Sequence, residues 1–153
     1  MRIGQRLAVL AERSGAFYGR KMRAGHVYAF AEQRYGFRGD GGPVSKAQFR
    51  EGSSLTVDSA GNWVLIDTNN RRVRVVAVKS GRFYGRTMRA LHVYTVTGTG
   101  STLTDSGDGD QATRAELGLV TRFLYEPSGL AVQPSGAILL AELSAGRVLV
   151  IHP

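Results

Sequence analysis

Short runs of alternating apolar and polar residues, each closed by a glycine- or asparagine-bearing turn, organise this chain. Between Ser53 and Val78, Leu55 and Val57 alternate with Thr56 and Asp58, Ser59 to Asn62 supplies a turn, and Trp63 to Ile66 forms a second run. A period-two run, a glycine turn and a further apolar run predict a hairpin. Asn69 and Asn70, residue types that tolerate positive φ and cap turns with their side chains, precede a third strand at Arg72 to Val78. His92 to Thr97 alternates again and predicts a fourth. Trp63 to Ile66 and Val75 to Val78 are apolar at consecutive positions, so these strands need cover on both faces.

The same order returns from Ser128 to Pro153, with Gly136 standing where Gly61 stood. Before Ser14 only Arg6 to Glu12 remains, matching the third strand, and His26 to Ala31 matches the fourth. The connectors Gly36 to Phe49 and Asp105 to Leu117 both carry Gly-Asp-Gly and are read as loops leading into a brief helical turn. A longer identity lies inside the units: Ser14 to Tyr28 and Ser80 to Tyr94 agree at 12 of 15 positions. Such self-similarity predicts a repeat architecture. One domain over residues 1–153 is expected, with an incomplete unit at about 6–31, a full unit at about 53–98, an incomplete unit at about 128–153, and nine strands in all.

Composition agrees with this pattern. At 153 residues and 42% apolar content the chain can build a core, and 20 glycines against 4 prolines, with abundant Val, Thr and Tyr, favour strands over long helices. The fold class expected is all-β. Cysteine is absent, which excludes disulfides, thiolate metal sites and cysteine nucleophiles. Leu7 to Ala11, the one apolar run near the start, is too short for a signal-peptide core or a membrane span, so no membrane span is expected and no location follows. A formal charge of +8 would attract phosphate backbones or other polyanions at low salt.

Leu55 to Val76 resembles the NHL repeat, whose usual form is Val-Asp-Ser-x-Gly-Asn, an apolar strand, then Asp-x-x-Asn-x-Arg. Asp67, Asn70 and Arg72 match that motif; Glu142, Ala145 and Arg147 match it in part. The pair Pro127 and Gly129 keeps the proline and glycine that the family places before its first hairpin, and the segment ahead of Leu55 lacks them. The long insertion from Ser80 to Gly109 is similar to the longer blades of bacterial members, so the resemblance covers nearly the whole chain. It implies a partial β-propeller of stacked four-stranded antiparallel blades, about two and a quarter in number. Propellers close with roughly four to eight blades. The chain is therefore expected to be part of a larger propeller or to assemble with other copies. A four-stranded face measures about 320 Å². Left open, it forgoes up to about 8 kcal/mol of burial, which predicts self-association or a protein partner that completes the propeller.

The duplicated phrase also carries candidate chemistry. Arg20, Lys21 and Arg23 stand beside Phe17 and Tyr18, and Arg82, Arg86 and Arg89 beside Phe83 and Tyr84. Cations interleaved with aromatic rings suit single-stranded nucleic acid, phosphate to the first and bases to the second. Repeated residues also serve repeated packing, which assigns the same rings to blade junctions and the arginines to solvent. Tyr18, Arg20, Lys21, Arg23, Tyr84, Arg86 and Arg89 are thus the candidate ligand-binding residues. His26 and His92 occupy equivalent positions, and His152 stands next to the chain end; none has ligand spacing for a metal. Asp40 and the run Asp105, Asp108, Asp110 read as aspartate-glycine turns, because no glutamate closes a calcium loop. No nucleophile motif is present, so no catalytic residue, cofactor or metal is expected. The expected function is a non-enzymatic binding or scaffold protein, with single-stranded RNA or DNA binding through the basic-aromatic loops as the alternative and a relic of a propeller lyase or sensor as the weaker one.

Overall fold

Period-two alternation dictates which face each strand buries, and it builds three antiparallel sheets that follow one another along the chain. The computed structural model describes residues 7–31, 35–50, 52–101, 109, 111–119, 129–142 and 146–152. The first sheet pairs β1 (Ala8–Leu10) with β4 (Val27–Ala29). In the middle sheet β5 (Gly52–Val57), β6 (Trp63–Asp67), β7 (Arg72–Val76) and β10 (Val93–Thr97) lie in the order β10-β7-β6-β5. The last sheet is β11 (Gly129–Val132), β12 (Ile138–Glu142) and β13 (Arg147–Ile151). These are the nine expected strands, and the all-β class holds.

Four further strands come from the duplicated phrase. Each copy folds into a tight hairpin rather than a loop, β2 (Gly15–Phe17) with β3 (Arg20–Met22) and β8 (Gly81–Phe83) with β9 (Arg86–Met88). Both tips put a tyrosine and a glycine at positive φ, Tyr18 at 50° with Gly19 at 70° and Tyr84 at 49° with Gly85 at 70°. Two consecutive left-handed residues are what a two-residue turn needs to follow the twist of its strands. Glycine supplies the second position without strain, whereas an aromatic residue at the first is uncommon and has to be held by packing. A side chain at Gly15 or Gly81 would collide with the ring of Phe17 or Phe83, so glycine there lets the ring fold over its own strand.

The middle sheet is covered on both sides. Trp63, Leu65, Val76 and Val93 pack toward the first sheet, with Met22 and Phe30. Val64, Ile66, Val73, Val75 and Tyr94 pack toward the last sheet, with Met88, Ile138 and Leu140. All five residues of β6 are therefore buried, the outcome its unbroken apolar run predicted. The connectors contain the expected short helical turns, Val44–Lys46 and Ala112–Arg114. Val44 and Ala47 join the first cluster, and Leu117 and Leu119 the second.

One local expectation moves by a residue. The left-handed position after β6 is Arg71, with φ 51°, and Asn69 and Asn70 belong to a 3-10 turn, Thr68–Asn70. Asn70 uses its side-chain amide instead, donating to both Asp67 carboxylate oxygens at 3.0 and 2.9 Å and to the Gly36 carbonyl at 2.7 Å. Among the described residues no helix is long and apolar enough to cross a membrane.

Candidate interaction surfaces

The sequence-selected residues sit on the two hairpins, where both copies make the same bonds. Arg20 donates through Nη1 to the Ala29 carbonyl at 2.7 Å, and Arg86 donates to the Thr95 carbonyl at 2.6 Å. Each guanidinium also lies over the tyrosine of the strand that follows, Tyr28 or Tyr94. The backbone N–H groups of Arg23 and Arg89 donate to those tyrosine hydroxyls at 2.8 and 2.9 Å. Ser14 and Ser80 accept from Ala24 and Ala90 N–H, each at 3.0 Å. His26 and His92 place Nδ1 3.0 and 2.9 Å from the Ala24 and Ala90 carbonyls.

The hairpin rings act as clamps between sheets. Tyr18 meets Trp63 of the middle sheet edge-on at 4.9 Å and Phe30 at 5.6 Å. Tyr84 packs at the margin of the second cluster, the one that holds Ile138 of the last sheet, and its hydroxyl donates to Asp58 Oδ2 at 2.9 Å. Burial, with the Asp58 carboxylate beside it, raises the Tyr84 phenol above its ordinary value. Lys21, Arg23, Arg82 and Arg89 are exposed. The hairpins thus bring together two packed tyrosines, two internally bonded arginines and four outward cations.

Two buried acids hold the sheets to their connectors. Asp67 accepts from the Arg50 N–H at 2.7 Å and pairs with Arg74 Nη1 at 3.2 Å, and both side chains are fully buried. Burial pushes the Asp67 carboxyl up, outweighing Asn70, the Arg50 N–H and Arg74, which all favour the charged form. Arg74 lies between Phe37 and Phe49, its guanidinium carbon 5.0 and 4.7 Å from the ring centres. In the last sheet Glu142 takes the place of Asp67, accepting from the Gly118 N–H at 3.1 Å and from Arg147 Nε at 2.6 Å. Asp40 belongs to this framework too: Oδ1 accepts from Thr95 N and Oγ1 at 2.6 and 2.9 Å, fastening the connector to β10. Asp105, Asp108, Asp110 and Ala145 lie outside the described residues.

Residues that the sequence reading left unmarked form the larger surfaces. Leu10 and Val27 of the first sheet are 60% and 68% exposed, and Val148 and Val150 of the last sheet 64% and 51%. Strand alternation turns the first pair away from Val9 and Tyr28, and the second pair away from Leu149 and Ile151, which pack inward. Each end of the stack therefore presents an apolar face. A groove of about 420 Å³ opens beside β5, lined by Leu7, Phe49, Leu55, Leu65 and the polar edge of Ser53 and Ser54. Among the described residues the first sheet has two strands against four in the middle one, and Leu55 beside the groove is 50% exposed. Aligning Val148 and Val150 with Val73 and Val75 in the sequence would have marked the last face in advance.

Compared with known proteins, the chain matches no family model and no curated protein.

Proposed function

We propose that this is a non-enzymatic binding or scaffold protein of NHL-type propeller build, whose working surfaces are the open faces of its end sheets and the groove beside β5. The observation that supports it most is the change in exposure at equivalent positions: Val73 and Val75 are 0% exposed, whereas Val148 and Val150, at the same places one sheet later, are open. Isolated exposed apolar residues are ordinary, but contiguous sheet faces mark interaction sites. The groove adds an edge strand with serine side chains, which suits an extended segment of a protein partner. The NHL reading rests on Asp67, Asn70 and Arg72: Asn70 donates to the buried Asp67 carboxylate, and Arg72 Nη1 donates to the Asn70 carbonyl at 2.7 Å.

A neutral polarity-sensitive dye tests the reading. The folded protein should bind it at low protein concentration, and Val148→Lys with Val150→Lys should remove the share of the signal that the last face contributes, leaving that of the first face and the groove. Folded protein that leaves the dye dark would overturn the proposal. A second reading, attraction to nucleic acid, is favoured by the four outward cations of the hairpins; with Tyr18 and Tyr84 occupied in packing, it rests on phosphate contacts.

A further inference from the structure

We infer that the open face of the last sheet docks on the open face of the first sheet of a second copy of this chain, giving a head-to-tail association. This rests on the scaffold reading above and names its partner. The molecule already contains the interface twice. The middle sheet offers Val64, Ile66, Val73 and Val75 to the sheet that follows it, and the same places in the last sheet are held by Leu139, Ala141, Val148 and Val150. The pairing register confirms the correspondence, since Ile66 opposes Val73 as Ala141 opposes Val148. In the other direction the middle sheet offers Val76 and Val93 to the sheet before it, and the first sheet holds Leu10 and Val27 in their places. Again the register agrees: Val76 opposes Val93 as Leu10 opposes Val27.

One end of the chain therefore carries the face that receives a following sheet, and the other end carries the face that receives a preceding one. Two different surfaces on one molecule, each suited to the other, make a heterologous contact, unlike the self-complementary patch of a twofold dimer. The contact is small. Three strands of four to five residues give a face of at most about 240 Å², far below the ~800 Å² per partner of a standard stable interface. The contact also lacks a clamping hairpin, because the duplicated phrase occurs only at the two internal junctions. Association should accordingly be weak and concentration-dependent. Because each copy carries a formal charge of +8, it should also strengthen as salt screens the repulsion.

Sedimentation of the 153-residue chain over a rising concentration series tests this, with two variants that each block one face. Leu10→Lys with Val27→Lys blocks the first face, and Val148→Lys with Val150→Lys the last. All four positions are exposed, so both variants should keep the wild-type circular dichroism and unfolding midpoint. Wild type should associate, each variant alone should remain monomeric, and an equal mixture of the two should form dimers and stop there, because each retains the face the other has lost. A wild type that stays monomeric to about millimolar concentration overturns the proposal, since even a weak specific contact shows there. So does a first-face variant that still associates as wild type, which would mean last face on last face. Association unchanged in both variants would place the contact elsewhere and overturn it as well. A chain that binds the neutral dye but does not associate defeats this inference alone, whereas a chain that does neither defeats the scaffold reading with it.

Discussion

The middle and last sheets carry nearly the same strand pattern and live in different surroundings. In the middle sheet every residue of β6 is buried, and the β7 valines are sealed on both faces. The last sheet repeats the alternation, yet β13 reads half-buried and exposed by turns. Residue type alone does not set burial here. A valine in a repeated strand becomes core only when another sheet lies over it, as expected where units stabilise one another chiefly through their neighbours.

The anchoring acids should break the comparison most sharply. Asp67→Ala leaves the buried Arg74 to the more distant Asp40 carboxylate, 3.6 Å away, and should cost about 3 kcal/mol in urea unfolding. Glu142→Ala should cost less, because Arg147 is partly exposed and water can replace the lost partner. Equal losses at the two sites would contradict the view that the middle sheet is the more deeply enclosed. Next in size, Val75→Ala should lose about 2 kcal/mol through missing contacts and a cavity. Its counterpart Val150→Ala should stay within about 0.5 kcal/mol.

Much of this fold was legible in the chain because strand alternation and turn residues are local signals. The nine strands, their order and the helical turns in the connectors follow from them. The hairpins inside the duplicated phrase were not, because Tyr18 and Tyr84 take a left-handed conformation that only their tertiary packing makes tolerable. Nor could Arg74 be placed, since an arginine inside a strand reads as solvent-facing until Phe37, Phe49 and Asp67 are brought around it. The seven candidate residues lie on or next to the two equivalent hairpins. The packing of Tyr18 and Tyr84 was one of the two readings the repetition offered; what the sequence concealed was that Arg20 and Arg86, assigned there to solvent, spend their guanidinium groups on the Ala29 and Thr95 carbonyls.

The twin hairpins offer a finer comparison. Tyr84 bonds Asp58 in the β5–β6 turn of its own sheet, and among the described residues the first sheet has two strands and no such turn beside Tyr18. Tyr84→Phe should therefore cost about 1–2 kcal/mol, and Tyr18→Phe less than about 0.5 kcal/mol. Because the folded-state pKa of Tyr84 is raised, its contribution is fully present below the ordinary tyrosine range and is lost only as pH climbs through the raised value. In an alkaline absorbance titration, one tyrosine should stay protonated until the protein unfolds. That late step should vanish in Tyr84→Phe and persist in Tyr18→Phe.

The smallest expected effect separates the two kinds of arginine within one hairpin. Arg86 spends its guanidinium on the Thr95 carbonyl and the Tyr94 ring, whereas Arg89 is exposed and bonds Tyr94 only through its backbone N–H. If the basic surface attracts a single-stranded polyanion, each outward cation that touches a phosphate contributes about 0.7 to the slope of log affinity against log salt. Replacing Arg89 with alanine should then flatten that slope while leaving the unfolding midpoint in place. Replacing Arg86 should do the reverse, lowering stability by about 1 kcal/mol through the lost hydrogen bond and barely changing the slope. Salt-independent binding, or equal slopes lost from both variants, would mean that the hairpins act only as clamps between sheets.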